Sequence, residues 1–267
     1  MSLLLRAAAW GLALLLLGRG LLLALSGWAS LRGRSLVKRT PWTPIDGVEA
    51  GRVVKLRGVP EAPFAAAPAS GAACAYFETA FTDYVWSGGE APAARPGETQ
   101  RGPDVLLLRV GGALLAVDMR TRRPLLTART LSYRQSPSGG YELGWPSRPA
   151  MGERYARESL LRPGEEVVVF GELEATVRRE DGTLQLFFAE HANTGAAPLR
   201  RSSQRGSAAG RRRWAGSLLD AVRGVRPLYA VSGLGEEAIL SEAGQLVAVQ
   251  LFFAALCLAA AAGLLFL

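Results

Sequence analysis

Histidine, cysteine and lysine are nearly missing from this chain of 267 residues. It has one histidine, His191, and two cysteines, Cys74 and Cys257. A structural zinc site takes four Cys or His ligands. Zinc fingers, RING-type modules and similar metal-built folds are therefore excluded within this sequence by counting alone, and no metal or other cofactor is expected. A bridge between the two cysteines is disfavoured, because Cys257 lies in an apolar run and Cys74 in the polar part of the chain. Only Lys38 and Lys55 are lysine among 31 basic residues, and the formal net charge is +8. Arginine bias beside heavy alanine and glycine usage points to a GC-rich, bacterial-type genome. A nucleic-acid binder clusters its charge in a stripe with interleaved aromatics. Here Asp and Glu are spread through the same region, so no nucleic-acid partner is expected.

Charge is missing altogether from residues 246–267, where Gln250 is the only strongly polar side chain. A bilayer core of roughly 30 Å needs about 20 apolar residues as a helix, so this run predicts a C-terminal transmembrane helix. Residues 1–30 are almost as apolar, interrupted only by Arg6 and Arg19. They read as a first transmembrane helix on total apolar length, or as a secretory signal peptide with a small-residue cleavage site near Ala29. As an anchor, the segment has Arg6 snorkelling to one interface and Arg19 either reaching the other or bearing its cost. The expectation is a two-pass integral protein of a bacterial inner membrane. Its partners would be the lipid bilayer and another membrane protein; oligomeric state is not readable. Basic Arg32, Arg34, Lys38 and Arg39 after the first span favour a cytoplasmic domain by the positive-inside tendency.

Between the ends the periodicity is that of strands. Val54 and Leu56 alternate with Lys55 and Arg57, a half-buried strand with its charges outward. Residues 74–82 are rich in Tyr, Phe and Thr. Runs at 105–110 and 113–117 flank Gly111-Gly112, and runs at 165–178 and 183–190 flank Glu180-Asp181-Gly182. Both are hairpin signals. Weaker strands are expected at 125–132 and 141–145, and loops at 87–103 and 193–210. Seven to eight short strands at this spacing predict a mainly β domain, a small barrel or sandwich between two transmembrane α-helices. The domain is expected at 40–205. A basic linker and amphipathic helix follow at 206–230, where Arg211, Arg212, Arg213, Trp214 and Arg223 could meet an anionic membrane surface. The same stripe could equally pack on the β domain.

Catalytic patterns are missing too. There is no Gly-x-Ser-x-Gly elbow and no phosphate-binding Gly-rich loop with lysine. His191 reads as a surface or capping residue at a strand end. Cys74 reads as a small apolar residue on a buried strand rather than a nucleophile paired with His191. Glu165-Glu166 and Glu236-Glu237 read as solvated ends. No catalytic residue is assigned.

One arrangement is more specific. Pro68, Ser70-Gly71 and Cys74-Ala75-Tyr76-Phe77-Glu78 follow Gly51-Arg52-Val53. Downstream come Glu158-Ser159-Leu160-Leu161-Arg162-Pro163-Gly164-Glu165, then Gly171-Glu172 closing a strand, and Asp181-Gly182. These pieces resemble the GIDE domain, also called BAM for "beside a membrane", over about residues 40–205. The resemblance implies a β domain flanked by two membrane helices. It also implies kinship with membrane-anchored RING-type ubiquitin ligases, which place this domain away from the cytosol. The sequence carries no RING ligands and ends at Leu267. The expectation is therefore a non-enzymatic binding, sensing or scaffold module, with ubiquitin-protein transfer and organelle organisation as the alternative the resemblance implies.

Overall fold

A computed structural model describes residues 3–86, 92–120, 124–144, 150–188 and 228–265. Two compact units emerge: the strands, in 40–190 and 229–239, and the long helices, in 1–39 and 240–267.

The strands in chain order are β1 (Val53–Pro60), β2 (Ala65–Ala66), β3 (Ala73–Cys74), β4 (Tyr76–Val85), β5 (Ala93–Gly102), β6 (Val105–Val110) and β7 (Ala113–Asp118). They continue as β8 (Leu125–Thr127), β9 (Arg129–Gln135), β10 (Tyr141–Leu143), β11 (Arg154–Leu161), β12 (Val167–Arg178), β13 (Leu184–Phe188) and β14 (Ala230–Ser232). The domain is built on a five-stranded barrel in the order β1-β6-β7-β13-β12, closed by β12 pairing back to β1. Only the β7–β13 contact is parallel; β1–β12, β1–β6, β6–β7 and β12–β13 are antiparallel. This order with one parallel pair is that of an OB-type Greek-key barrel.

The twelve-residue β12 makes the closure possible. Its residues 167–172 pair with β1. A bulge between Leu173 and Ala175 then bends the strand, and its second half pairs with β13. Such bulges re-aim a strand at a barrel corner. Inside, Val54, Leu56, Leu106, Leu108, Leu115, Val117, Val167, Val169, Leu173 and Leu186 recur at alternating positions and form one core. Each such side chain contributes about 1.5–3 kcal/mol on full burial. Phe188 and Tyr229 stack at 4.6 Å and 6° against the barrel wall. A Cβ on Gly171 would meet Phe188 at 2.7 Å, so Gly171 is required by packing.

A second sheet, β10-β9-β11-β4-β5, is assembled from two insertions. The β1–β6 connection supplies β4 and β5, and the β7–β12 connection supplies β9, β10 and β11. The tight β6–β7 turn places Gly111 at φ +51° and Gly112 at φ +88°, the left-handed conformation that a two-residue hairpin needs.

Several expectations change. Residues 93–102, expected as loop, form β5 along β4. As an edge strand exposed on both faces it carries no apolar period, and Arg95, Pro96 and Gly97 are the residues that blunt an open edge. The run expected at 125–132 breaks at Ala128 into β8 and β9, which join different sheets. Strands β2, β11 and β14 were not expected; with β5, the separate β3 and the split of 125–132 they bring the eight expected strands to fourteen among the described residues. Lys55 keeps the face opposite Val54 and Leu56 that the alternation gives it, beside Arg57 under Trp42, but it is buried there rather than solvated. His191, the loop at 193–210 and the amphipathic helix with Arg211, Arg212, Arg213, Trp214 and Arg223 lie outside the described residues.

In the other unit, α1 (Leu3–Arg39) runs unbroken through the basic stretch, and α2 (Glu236–Leu265) starts ten residues before the apolar run. Both are long and apolar enough to cross a membrane. They pack antiparallel. Gly20 lies against Leu258 and Ala254, Gly27 against Leu251 and Gln250, and Arg34 over Gly244. Ala13, Gly20 and Gly27 recur at every seventh residue and are buried. Small residues at a heptad spacing let two helix backbones approach closely. Ser30 Oγ donates across the seam to Gln250 Oε1 at 3.3 Å, so the one polar side chain of the second apolar run is satisfied.

Candidate functional site

The candidate residues singled out in the sequence divide into a cluster and a scatter. The cluster begins with the turn between β2 and β3. There Gly71 N–H donates to Ala67 O at 2.9 Å and Ala67 N–H to Ala72 O at 3.0 Å. Gly71 sits at φ +67°, and Ser70 Oγ accepts from Ala72 N–H at 3.2 Å. Pro68 lies within this turn.

Glu158 on β11 points up beneath the turn and is fully buried. Its Oε1 accepts from Ala69 N–H at 2.9 Å and from Thr79 Oγ1 at 3.0 Å. Its Oε2 accepts from Ser70 N–H at 3.2 Å. Three donors on one carboxylate satisfy a buried charge that would otherwise cost several kcal/mol. Thr79, which sequence reasoning missed as a site residue, is the side-chain member of this set. Its position two residues from Phe77 and Phe81 on β4 is what turns it inward.

Cys74 lies beside this network, buried, with its S–H donating to Ala65 O at 3.3 Å. Burial pushes the thiol up to about 11, with the Glu158 charge adding to the shift. A thiol in that state is protonated at neutral pH and is a poor nucleophile. Its neighbours Ala67, Phe77 and Leu160 make a small apolar cluster.

The other candidate residues sit elsewhere. Tyr76 is in the barrel core, and Glu78 pairs with Arg101 at 3.1 Å on the surface. Gly164 occupies the turn before β12 at φ +76°, with Glu165 next to it. Gly171 and Glu172 lie on β12 opposite Val54 and Val53. The structure thus joins Pro68, Ser70, Gly71, Cys74 and Glu158 and leaves Tyr76, Glu78, Gly164, Glu165, Gly171 and Glu172 apart from them.

A second constellation was not visible in the sequence. Lys55 Nζ lies 3.1 Å from both carboxylate oxygens of Glu236, in the first turn of α2. Its side chain is 5% exposed and that of Glu236 is 26% exposed, so Glu236 is not the solvated end expected of it. The Trp42 ring stacks with both cations, 4.8 Å from Lys55 Nζ and 4.3 Å from Arg57 Cζ. Thr43 pairs with the Lys55 backbone, donating N–H to its carbonyl at 2.8 Å and accepting its N–H on Oγ1 at 3.0 Å. This backbone pairing fixes Trp42 over β1. Trp42, Thr43, Lys55, Arg57 and Val110 line a cleft of about 180 Å³, smaller than the about 300 Å³ at which small-molecule sites begin.

Chemically, the Glu158 cluster holds a turn and the Lys55 cluster holds a helix start. The Thr79 hydroxyl and the Cys74 thiol near Glu158 are fully buried, so neither cluster presents a nucleophile to solvent among the described residues. No group of three or more His, Cys, Asp or Glu able to hold a metal occurs among the described residues. Charge is distributed unevenly. Residues 40–190 carry 17 basic and 19 acidic side chains, whereas 191–228 carry eight Arg against one Asp. Residues 1–39 carry six basic side chains and no acid. The positive net charge therefore resides in the flanks of the β domain. Comparisons with protein-family models, with curated proteins and with solved structures find no match.

Proposed function

We propose that the chain is a two-span membrane protein whose barrel domain serves as a binding or scaffold module at the bilayer surface. The antiparallel contact of α1 with α2 through Gly20 and Gly27 carries this reading. A cleaved leader has no use for a heptad of buried small residues matched to a second apolar helix; a retained hairpin requires one. The hairpin brings the last turn of α1 and the first turns of α2 to one end, so the inserted domain is held at one face of the bilayer.

Basic charge concentrated in the flanks supports contact with anionic headgroups, each Lys or Arg near such a surface contributing about 1 kcal/mol. Arg32, Arg34, Lys38 and Arg39 at the C-terminal end of α1 favour the cytoplasmic face of a bacterial inner membrane. OB-type barrels are binding scaffolds in many settings, and fold alone does not choose the ligand. The resemblance to the GIDE or BAM domain agrees with a β domain beside a membrane. Binding is preferred to ubiquitin transfer because one His and two Cys cannot supply even one four-ligand zinc site. The test is extraction of native membranes with alkaline carbonate and flotation of the full chain on vesicles. The protein stays with the bilayer through carbonate, and release into the supernatant would refute the proposal.

A further inference from the structure

Arg19 stands on α1 in the middle of the apolar stretch, exposed on the helix hairpin. This inference rests on the reading of α1 as a membrane span. From Arg32, the first of the basic cluster, to Arg19 the helix rises about 20 Å at about 1.5 Å per residue. That is past the middle of a core roughly 30 Å thick. Beyond Arg19, Gly11 to Gly18 carries no charge at all, so Arg19 does not mark the end of the span. A cation at such depth is costly, and in membrane proteins it almost always faces a partner.

Neither apolar segment supplies that partner among the described residues. Residues 1–39 contain no Asp or Glu, and neither do residues 243–267. The neighbouring Gly20 lies against Leu258 and Ala254. The nearest carboxylate on α2, Glu242, is twelve or more residues away along the helix, about 18 Å. Arg19 also belongs to a second seam. Leu12, Leu15, Arg19 and Leu22 recur at spacings of three, four and three, the a/d pattern of a helix contact. Leu12 is 50% exposed, Leu15 72% and Leu22 42%. This seam is displaced by one residue from the Ala13, Gly20 and Gly27 seam that α2 covers. A second copy docking in parallel on the same seam would set Arg19 beside Arg19.

We infer that the Leu12, Leu15, Arg19 and Leu22 face docks a transmembrane helix of another protein that carries an Asp or Glu carboxylate at the depth of Arg19. The seam supplies packing, and Arg19 supplies register and specificity through a charge-assisted hydrogen bond in a medium that offers few alternatives.

The test uses the full chain in phosphatidylcholine vesicles with a photo-crosslinking residue at Leu15. The probe is a leucine-rich transmembrane peptide carrying Glu, Gln or Leu at its centre. The Glu peptide should reach half-maximal crosslinking at about ten-fold lower peptide-to-lipid ratio than the Leu peptide. Arg19→Lys should keep that preference and Arg19→Leu should remove it; a photoprobe at Ala13, which faces α2, should show no crosslink. Equal crosslinking by Glu and Leu peptides would overturn the inference. So would a preference that survives Arg19→Leu, or crosslinks joining two copies of the chain. A preference that vanishes when phosphatidylglycerol is added would assign Arg19 to lipid phosphate and overturn it too. Failure of the bilayer reading would look different: the chain itself would leave the vesicles in alkaline carbonate.

Discussion

Glu158 shows how a single side chain can organise a segment distant in sequence. Its carboxylate takes two backbone N–H groups from the turn at Ala69 and Ser70 and a hydroxyl from Thr79. Glu158→Gln would present an amide donor to one of these donors. The expected loss is about 2 kcal/mol of stability, read as a lower thermal midpoint of the purified full chain; a change within about 0.5 kcal/mol would contradict the role. Gly171→Ala is expected to cost about 2 kcal/mol by overpacking against Phe188 and Tyr229, measurable in the same way. Cys74 makes a pH prediction. Its folded thiol is raised to about 11 from the ordinary 9.0. A raised folded value means that its stabilisation is complete below the unfolded pKa and is lost as pH climbs through the folded one. Stability should therefore fall between about pH 9 and pH 11, and Cys74→Ala should flatten that part of the curve. At neutral pH an alkylating reagent should leave Cys74 unmodified in the folded chain. Ser70-Gly71 and Cys74 were legible in the sequence as turn and packing residues. The role of Glu158 was not, because its donors come from residues about 80 to 90 positions earlier.

Among the elements, β1 and α2 are joined by the Lys55–Glu236 pair. Removing one member of a largely buried pair strands the other charge and costs about 3 kcal/mol. Lys55→Met and Glu236→Gln should each lower stability by that order. The double variant should lose much less than the sum, and strict additivity in that cycle would contradict a direct pair. Alternation along β1 placed Lys55 outward, on the face it occupies with Arg57, but gave no sign that this position is covered. What buries it is Trp42, together with a carboxylate 181 residues later in the chain, and no local pattern encodes either. The hairpins at Gly111-Gly112 and Asp181-Gly182 were legible because their turn chemistry is local. β5 was not, since an exposed edge strand has no buried face to give it a period. β14 is three residues long and owes its place to pairing with β12 and β8, which sequence alone cannot show.

At the scale of the whole molecule, the two apolar helices were the plainest feature of the sequence, and strand spacing pointed to a small barrel or sandwich, of which the structure forms the barrel. The closure of that barrel through the bent β12, and the second sheet built from two insertions, depend on long-range pairing and were not legible. The central claim is that α1 and α2 form a membrane hairpin holding the barrel at the cytoplasmic face. Single-cysteine variants in a background lacking Cys74 and Cys257 test it most directly. Ser138→Cys, on the exposed turn before β10, reports the domain, and Ser2→Cys, just before α1 in the sequence, reports the N-terminal side of the first span. With a membrane-impermeant maleimide on sealed inverted vesicles, Ser138→Cys should label and Ser2→Cys should not, and right-side-out cells should show the reverse. Labelling of both positions from the same side would contradict the account.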